Sequence, residues 1–132
     1  MESLEPLEEA VLTKLLVGEL PVLVELRAQL PFLSVAKRTL TGVGFFTEFT
    51  VSPGAIPVPL PKGAGPLGDV EADIERLEHG AGFLLFVKKG FLHTLEGYSM
   101  DEPWPERIEG FSLRYERPDR RRIFSTLPAG WS

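Results

Sequence analysis

The sequence predicts an α+β fold: two N-terminal helices packed on a mostly antiparallel sheet of about six strands, in a single domain over residues 1–132. Three observations carry this. Apolar residues recur at helical spacing only before Pro31, the period drops to two from Ser34 onward, and the connections between later strands are too short for crossover helices. Residues 1–31 are therefore read as helical and 34–126 as mainly strand.

Ser3 is placed to cap the first helix, with Pro6 in its first turn and Glu8 and Glu9 where the helix dipole favours acids. Leu4, Leu7, Val11 and Leu15 form an apolar stripe, widened by Leu12 and Leu16, and Gly18 offers a C-cap. Pro21 opens a second helix that runs to about Leu30, where Pro31 stops it. Its Val22, Leu23, Leu26 and Leu30 face inward, and Glu25, Arg27 and Gln29 are expected to point elsewhere. The alternative of a lipid-surface helix is disfavoured because the polar residues are few and acidic on balance.

Val35 to Thr41 and Phe45 to Val51 read as strands around Gly42-Val43-Gly44, a turn that lacks the further glycines, the lysine and the helix of a phosphate loop. Residues 53–66 hold five prolines and three glycines in fourteen positions. Within them Ile56, Val58 and Leu60 alternate with prolines, the pattern of an edge strand with a blunted rim, or of a polyproline segment that docks a partner. Asp69 to Leu77 alternates apolar and acid as a half-exposed strand.

The centre of the prediction is a hairpin, Phe83 to Val87 and Phe91 to Glu96, joined by a three-residue loop with Gly90 in the left-handed conformation. On that register Phe83, Leu85, Val87, Phe91, His93 and Leu95 share one face. Leu84, Phe86, Leu92, Thr94 and Glu96 share the other. Both faces of the first strand are apolar, which suits a central strand covered on both sides. Ser99 to Arg107 is a loop stiffened by Pro103-Trp104-Pro105, Ile108 to Glu116 is a further strand, a short last strand is placed near Arg122-Ile123-Phe124, and the chain beyond Leu127 is expected to be loose.

A chain of 132 residues with 43% hydrophobic and 25% charged content can bury one core without metals or disulfides. Cysteine is absent, which excludes thiol chemistry and disulfides. Asparagine is absent too, Gln29 is the single glutamine, and twelve prolines stand beside two methionines, the depletion of heat-labile side chains expected of a thermophile protein. No apolar run approaches a membrane span, and the acidic start, Met1-Glu2-Ser3-Leu4-Glu5-Pro6, lacks the positive charge of a secretory signal, so a cytoplasmic protein is expected.

The net charge of −5 is uneven: residues 69–110 carry ten acids against four bases, and 111–132 two acids against five bases. The acidic middle argues against nucleic acid as a partner of the whole domain.

The catalytic candidates are His93, Glu96, Asp101 and Glu102, with Tyr98, Glu106 and Trp104 nearby. Were the 99–107 loop to fold back over the hairpin, a carboxylate pair and an imidazole would meet, as acid/base hydrolysis requires. The plainer account makes His93 a hydrogen-bonded core residue and Trp104 a lid on the sheet. His79 and His93 lie fourteen residues apart and match no metal-ligand spacing, so neither a metal site nor a cofactor is expected, and no serine sits in a nucleophile-elbow frame. The binding candidates are Tyr98, Trp104, Arg120, Arg121 and Arg122. With Arg114 and Arg117 the last three make five arginines in nine residues, able to grip phosphate or RNA, or to pair with the chain's own acids.

The run Gly82 to Gly90, followed by Leu95-Glu96-Gly97-Tyr98 and Pro103-Trp104-Pro105-Glu106, resembles a segment of small uncharacterised bacterial proteins in which a hairpin ends in Leu-Glu-Gly-Tyr and a Trp-Pro pair follows. The resemblance covers about a quarter of the chain and implies a compact bacterial α+β domain. It transfers no catalytic residue. The expectation for function is a non-enzymatic domain that forms a homodimer or binds a protein partner, with a small hydrolase built on the 93–106 region as the alternative.

Overall fold

In the computed structural model, which describes residues 3–60 and 63–120, the elements are α1 (Pro6–Leu15), α2 (Pro21–Arg27), a 3-10 turn (Leu30–Phe32), β1 (Leu33–Leu40), β2 (Gly44–Val51), β3 (Val70–Ile74), β4 (Ala81–Lys88), β5 (Phe91–Ser99) and β6 (Phe111–Tyr115). The strands form one sheet in the order β1-β2-β5-β4-β3-β6, with every neighbouring pair antiparallel. The predicted α+β plan is what the chain adopts. The β4–β5 hairpin lies at its centre.

Both helices pack on one face of this sheet. Leu7, Val11, Leu12 and Leu15 of α1 and Val22, Leu23 and Leu26 of α2 join Phe45, Phe49, Ala72, Ile74, Phe83, Leu85 and Leu95 in one buried cluster. The helix ends differ from expectation. Glu5, not Ser3, is the N-cap of α1, and its N–H donates to the Glu8 carboxylate at 2.8 Å. At the other end Leu16 is the C-cap rather than Gly18, and arginines take the last carbonyls: Arg27 donates to Leu16 O at 2.7 Å and Arg120 to Leu15 O at 2.8 Å. The second helix stops at Arg27, short of Leu30, and Pro31 falls inside the 3-10 turn.

Gln29, expected to point away from the core, is 1% exposed. Its Nε2 donates to Ile56 O at 2.9 Å and to Gly90 O at 2.8 Å, and its Oε1 accepts from Leu92 N at 2.9 Å. One amide therefore joins the end of α2, the proline-rich segment and the hairpin turn. That segment is not an edge strand. Ile56 is 77% exposed and Val58 2%, so the two do not share a side, and the N–H of Val58, between two prolines that have none, donates to Gly90 O at 2.8 Å. The segment straps the turn rather than extending the sheet.

The hairpin turn is shorter than predicted. Lys88 pairs with Phe91, which leaves a two-residue turn in which Lys89 and Gly90 have φ of 54° and 85°, the primed geometry that matches strand twist. The extra residue sits lower, where the register runs Phe86 with Thr94 and Val87 with Leu92 and leaves His93 as a bulge. The bulge inverts the side-chain alternation predicted at the end of β5. Leu92, not Phe91 or His93, enters the core at 1% exposure.

β3 buries Val70, Ala72 and Ile74 and turns its acids outward, as the alternation requires. The further strand is shorter than expected, Phe111–Tyr115, and pairs with β3 as the sheet edge. The expected strand near Arg122 and the position of Trp131 lie outside the described residues. Among the described residues no helix is long and apolar enough to cross a membrane.

Candidate functional site

Strand register places three rows of side chains on the sheet face that the helices leave uncovered. The first crosses β1, β2, β5 and β4 as Lys37, Glu48, Thr94 and Phe86; the second crosses the same strands as Thr39, Phe46, Glu96 and Leu84. The third runs from β2 to β6 through Gly44, Tyr98, Gly82, Glu71 and Arg114. Phe46, Leu84, Phe86, Glu96 and Tyr98 are all half-buried, and none of the three apolar residues belongs to the helix-side cluster. The central strand is thus apolar on both faces, as predicted, but among the described residues it is covered on one only. That corrects the expectation of cover above and below.

Each row has a physical reason. Tyr98 lies flat because its neighbour on β4 is Gly82, where a Cβ would sit 2.6 Å from the phenol ring and oxygen. On the other face Gly97 does the same for Phe45, whose ring would lie 2.2 Å from an added Cβ. Thr94, short and beside two phenylalanines, leaves a shallow hollow of about 550 Å³ lined by Phe46, Phe86, Val87, Glu48, Lys88 and His93. His93 Nδ1 lies 2.6 Å from Thr94 Oγ1 at its margin. Arg114 closes the β6 side by pairing with Asp73 at 2.7 Å and Glu71 at 3.3 Å.

Among the described residues no hydrogen bond or ion pair reaches the carboxylate of Glu96, whose cross-strand neighbours are Phe46 and Leu84. Burial pushes its carboxyl above the usual carboxylate value. Burial, with the charges of Glu96, Glu116 and Glu71, likewise raises the Tyr98 hydroxyl. The face thus has an apolar centre with one carboxylate in it and charged residues at its margin.

The remaining predicted residues lie elsewhere. Asp101 is exposed with φ of 62°. Glu102 turns its carboxylate to the β3–β4 turn and accepts from Glu78 N and His79 N, each at 2.8 Å, which holds its pKa below the usual range. Trp104 N donates to Gly42 O at 2.8 Å, and its ring meets Phe45 edge-on at 5.5 Å. The 99–107 loop is tied to the β1–β2 and β3–β4 turns and does not fold over the β4–β5 hairpin, so His93, Glu96, Asp101 and Glu102 do not converge. Among the described residues no group of histidines and carboxylates could hold a metal ion.

Arg120 is engaged internally: it pairs with Asp69 at 2.7 Å, donates to Val17 O as well as Leu15 O, and stacks over Tyr115 at 4.1 Å. Arg121 and Arg122 lie outside the described residues.

The sequence reading missed two polar centres. Beside Gln29 stands Glu8, 3% exposed, which accepts from Arg38 Nε at 2.9 Å, Arg38 Nη2 at 2.6 Å, Thr47 Oγ1 at 2.5 Å and Glu5 N. It stands beside a cleft of about 610 Å³ between α1, the β1–β2 turn and Trp104, but four donors already occupy both its oxygens. A signal existed for both residues. Glu8 shares the helical stripe of Leu12 and Leu15, and Gln29 that of Val22 and Leu26.

The chain has no match. No protein-family model, curated protein or solved structure matches it.

Proposed function

We propose that this chain is a protein-interaction domain that self-associates through the uncovered face of its sheet. One observation carries the proposal: Phe46, Leu84 and Phe86 occupy the middle of a sheet face on which neither helix packs. Such residues gain about 25 cal/mol for each Å² of apolar surface removed from water. Four strands of about eight residues and two of five, at spacings of roughly 4.8 and 3.3 Å, make a face of about 650 Å². That approaches the roughly 800 Å² per partner of a standard interface.

A second copy supplies the matching surface, because an isologous contact buries the same patch twice. Face-to-face packing also fits better than edge pairing. The β1 edge is interrupted by a register shift between Val35 and Lys37, and β6 at the other edge has five residues.

Light scattering and sedimentation velocity at tens of micromolar test the proposal, with the double variant Leu84→Ser/Phe86→Ser as the probe. The wild type is expected to be dimeric and the variant monomeric with an unchanged circular dichroism spectrum. A wild type that stays monomeric at both neutral and acid pH, or a dimer that survives the double substitution, refutes it.

A further inference from the structure

We infer that Glu96 regulates this association: two copies join when Glu96 is protonated, and its carboxylate charge opposes the contact. The inference rests on the self-association proposed above and adds the residue that controls it.

Glu96 lies in the middle row of the uncovered face, between Phe46 on β2 and Leu84 on β4. A second copy seated on those residues removes the water that now solvates its carboxylate, and no partner among the described residues replaces that water. The charged groups around it do not supply one. Glu48 is the nearest charged residue along the face on β2, and β4 presents Leu84 and Phe86. On its own strand stand Thr94, Tyr98 and His93; on β3 stand Glu71 and Asp73, which hold Arg114 of β6. Lys37 of β1 faces Glu48 rather than Glu96. Lys88 stands four residues from Leu84 along β4, about 13 Å of backbone at roughly 3.3 Å per residue, and makes no ion pair with Glu96.

In a symmetric pair both copies bring a Glu96 into the same dry layer, and each disfavours the other's charge. Glu96 is already half-buried and raised in the single chain, and association raises it further. A carboxyl whose pKa rises on association takes up a proton as the complex forms. The complex therefore gains stability as pH falls through the raised value and loses it above.

Sedimentation velocity at about pH 7.5 and about pH 5, on wild type and Glu96→Gln, tests this. Each proton taken up changes the dissociation constant by up to about tenfold per pH unit. The wild-type dimer is expected to tighten at least tenfold at the lower pH. Glu96→Gln, which keeps shape and removes charge, is expected to associate at the higher pH as tightly as wild type does at the lower. Three results overturn the inference while leaving self-association standing: a wild-type dimer indifferent to pH, an equal pH response in Glu96→Gln, which assigns it to a group other than Glu96, or a Glu96→Gln dimer weaker than wild type, which makes the carboxylate a paired contact. If both proteins stay monomeric throughout, the self-association itself fails and takes this inference with it.

Discussion

Replacing Gln29 by methionine keeps the length and bulk of a side chain that is 1% exposed and removes its three hydrogen bonds. The consequences for its partners are unequal. Gly90 O keeps the Val58 N–H at 2.8 Å, whereas Leu92 N and Ile56 O lose the partner that Gln29 gives them. A buried backbone group left without a partner costs about 1–3 kcal/mol, and Leu92 N is such a group whereas Ile56 O belongs to an exposed residue that water can reach, so the substitution is expected to destabilise by about 1–3 kcal/mol. At roughly 4 °C per kcal/mol for a chain of this size, Tm falls by about 4–12 °C. Urea denaturation followed by circular dichroism measures the loss, and amide exchange locates it: Leu92 and Val58 should exchange faster than residues of the β2–β5 ladder. A loss below about 0.5 kcal/mol, the scale of an ordinary surface substitution, would show that the amide does not hold the strap and turn together.

Two further outcomes follow from the same geometry. Burial alone would raise the Glu8 carboxyl, but hydrogen bonds from Arg38, Glu5 N and Thr47, with the charge of Arg38, outweigh it and hold the carboxyl below 4.5. Its contribution is therefore full above the unfolded value and is lost as pH falls through the lower folded one, so Glu8→Gln should cost about 3–5 kcal/mol at neutral pH, as breaking a buried pair does, and the gap to wild type should narrow on acidification. A constant gap across a pH series of urea melts would contradict this. Gly97→Ala places a methyl against the Phe45 ring, itself 7% exposed, and is expected to destabilise by about 1–3 kcal/mol in the same assay; a neutral result would mean that the ring shifts freely.

Periodicity in the chain alone determined the element types, because helix and strand impose different spacings on residues that must face a core. Val11 and Leu15 on α1, and Val70, Ala72 and Ile74 on β3, needed no knowledge of their neighbours to be assigned. The apolar pattern on both faces of β4 was equally legible, but alternation alone read it as cover on both sides. What the sequence could not contain was which groups lie within bonding distance across long stretches of chain. Gln29 meets Leu92 across sixty-three residues and Glu8 meets Thr47 across thirty-nine, and such contacts depend on how layers settle rather than on spacing. The bulge at His93 is of the same kind. It exists because Leu92 and Leu95, both buried and three residues apart, cannot face the same side in regular alternation, so tertiary packing chose for Leu92 the face that local alternation had assigned the other way. Whether both sides of β4 are covered was likewise decided in three dimensions, since two short helices have area enough for only one.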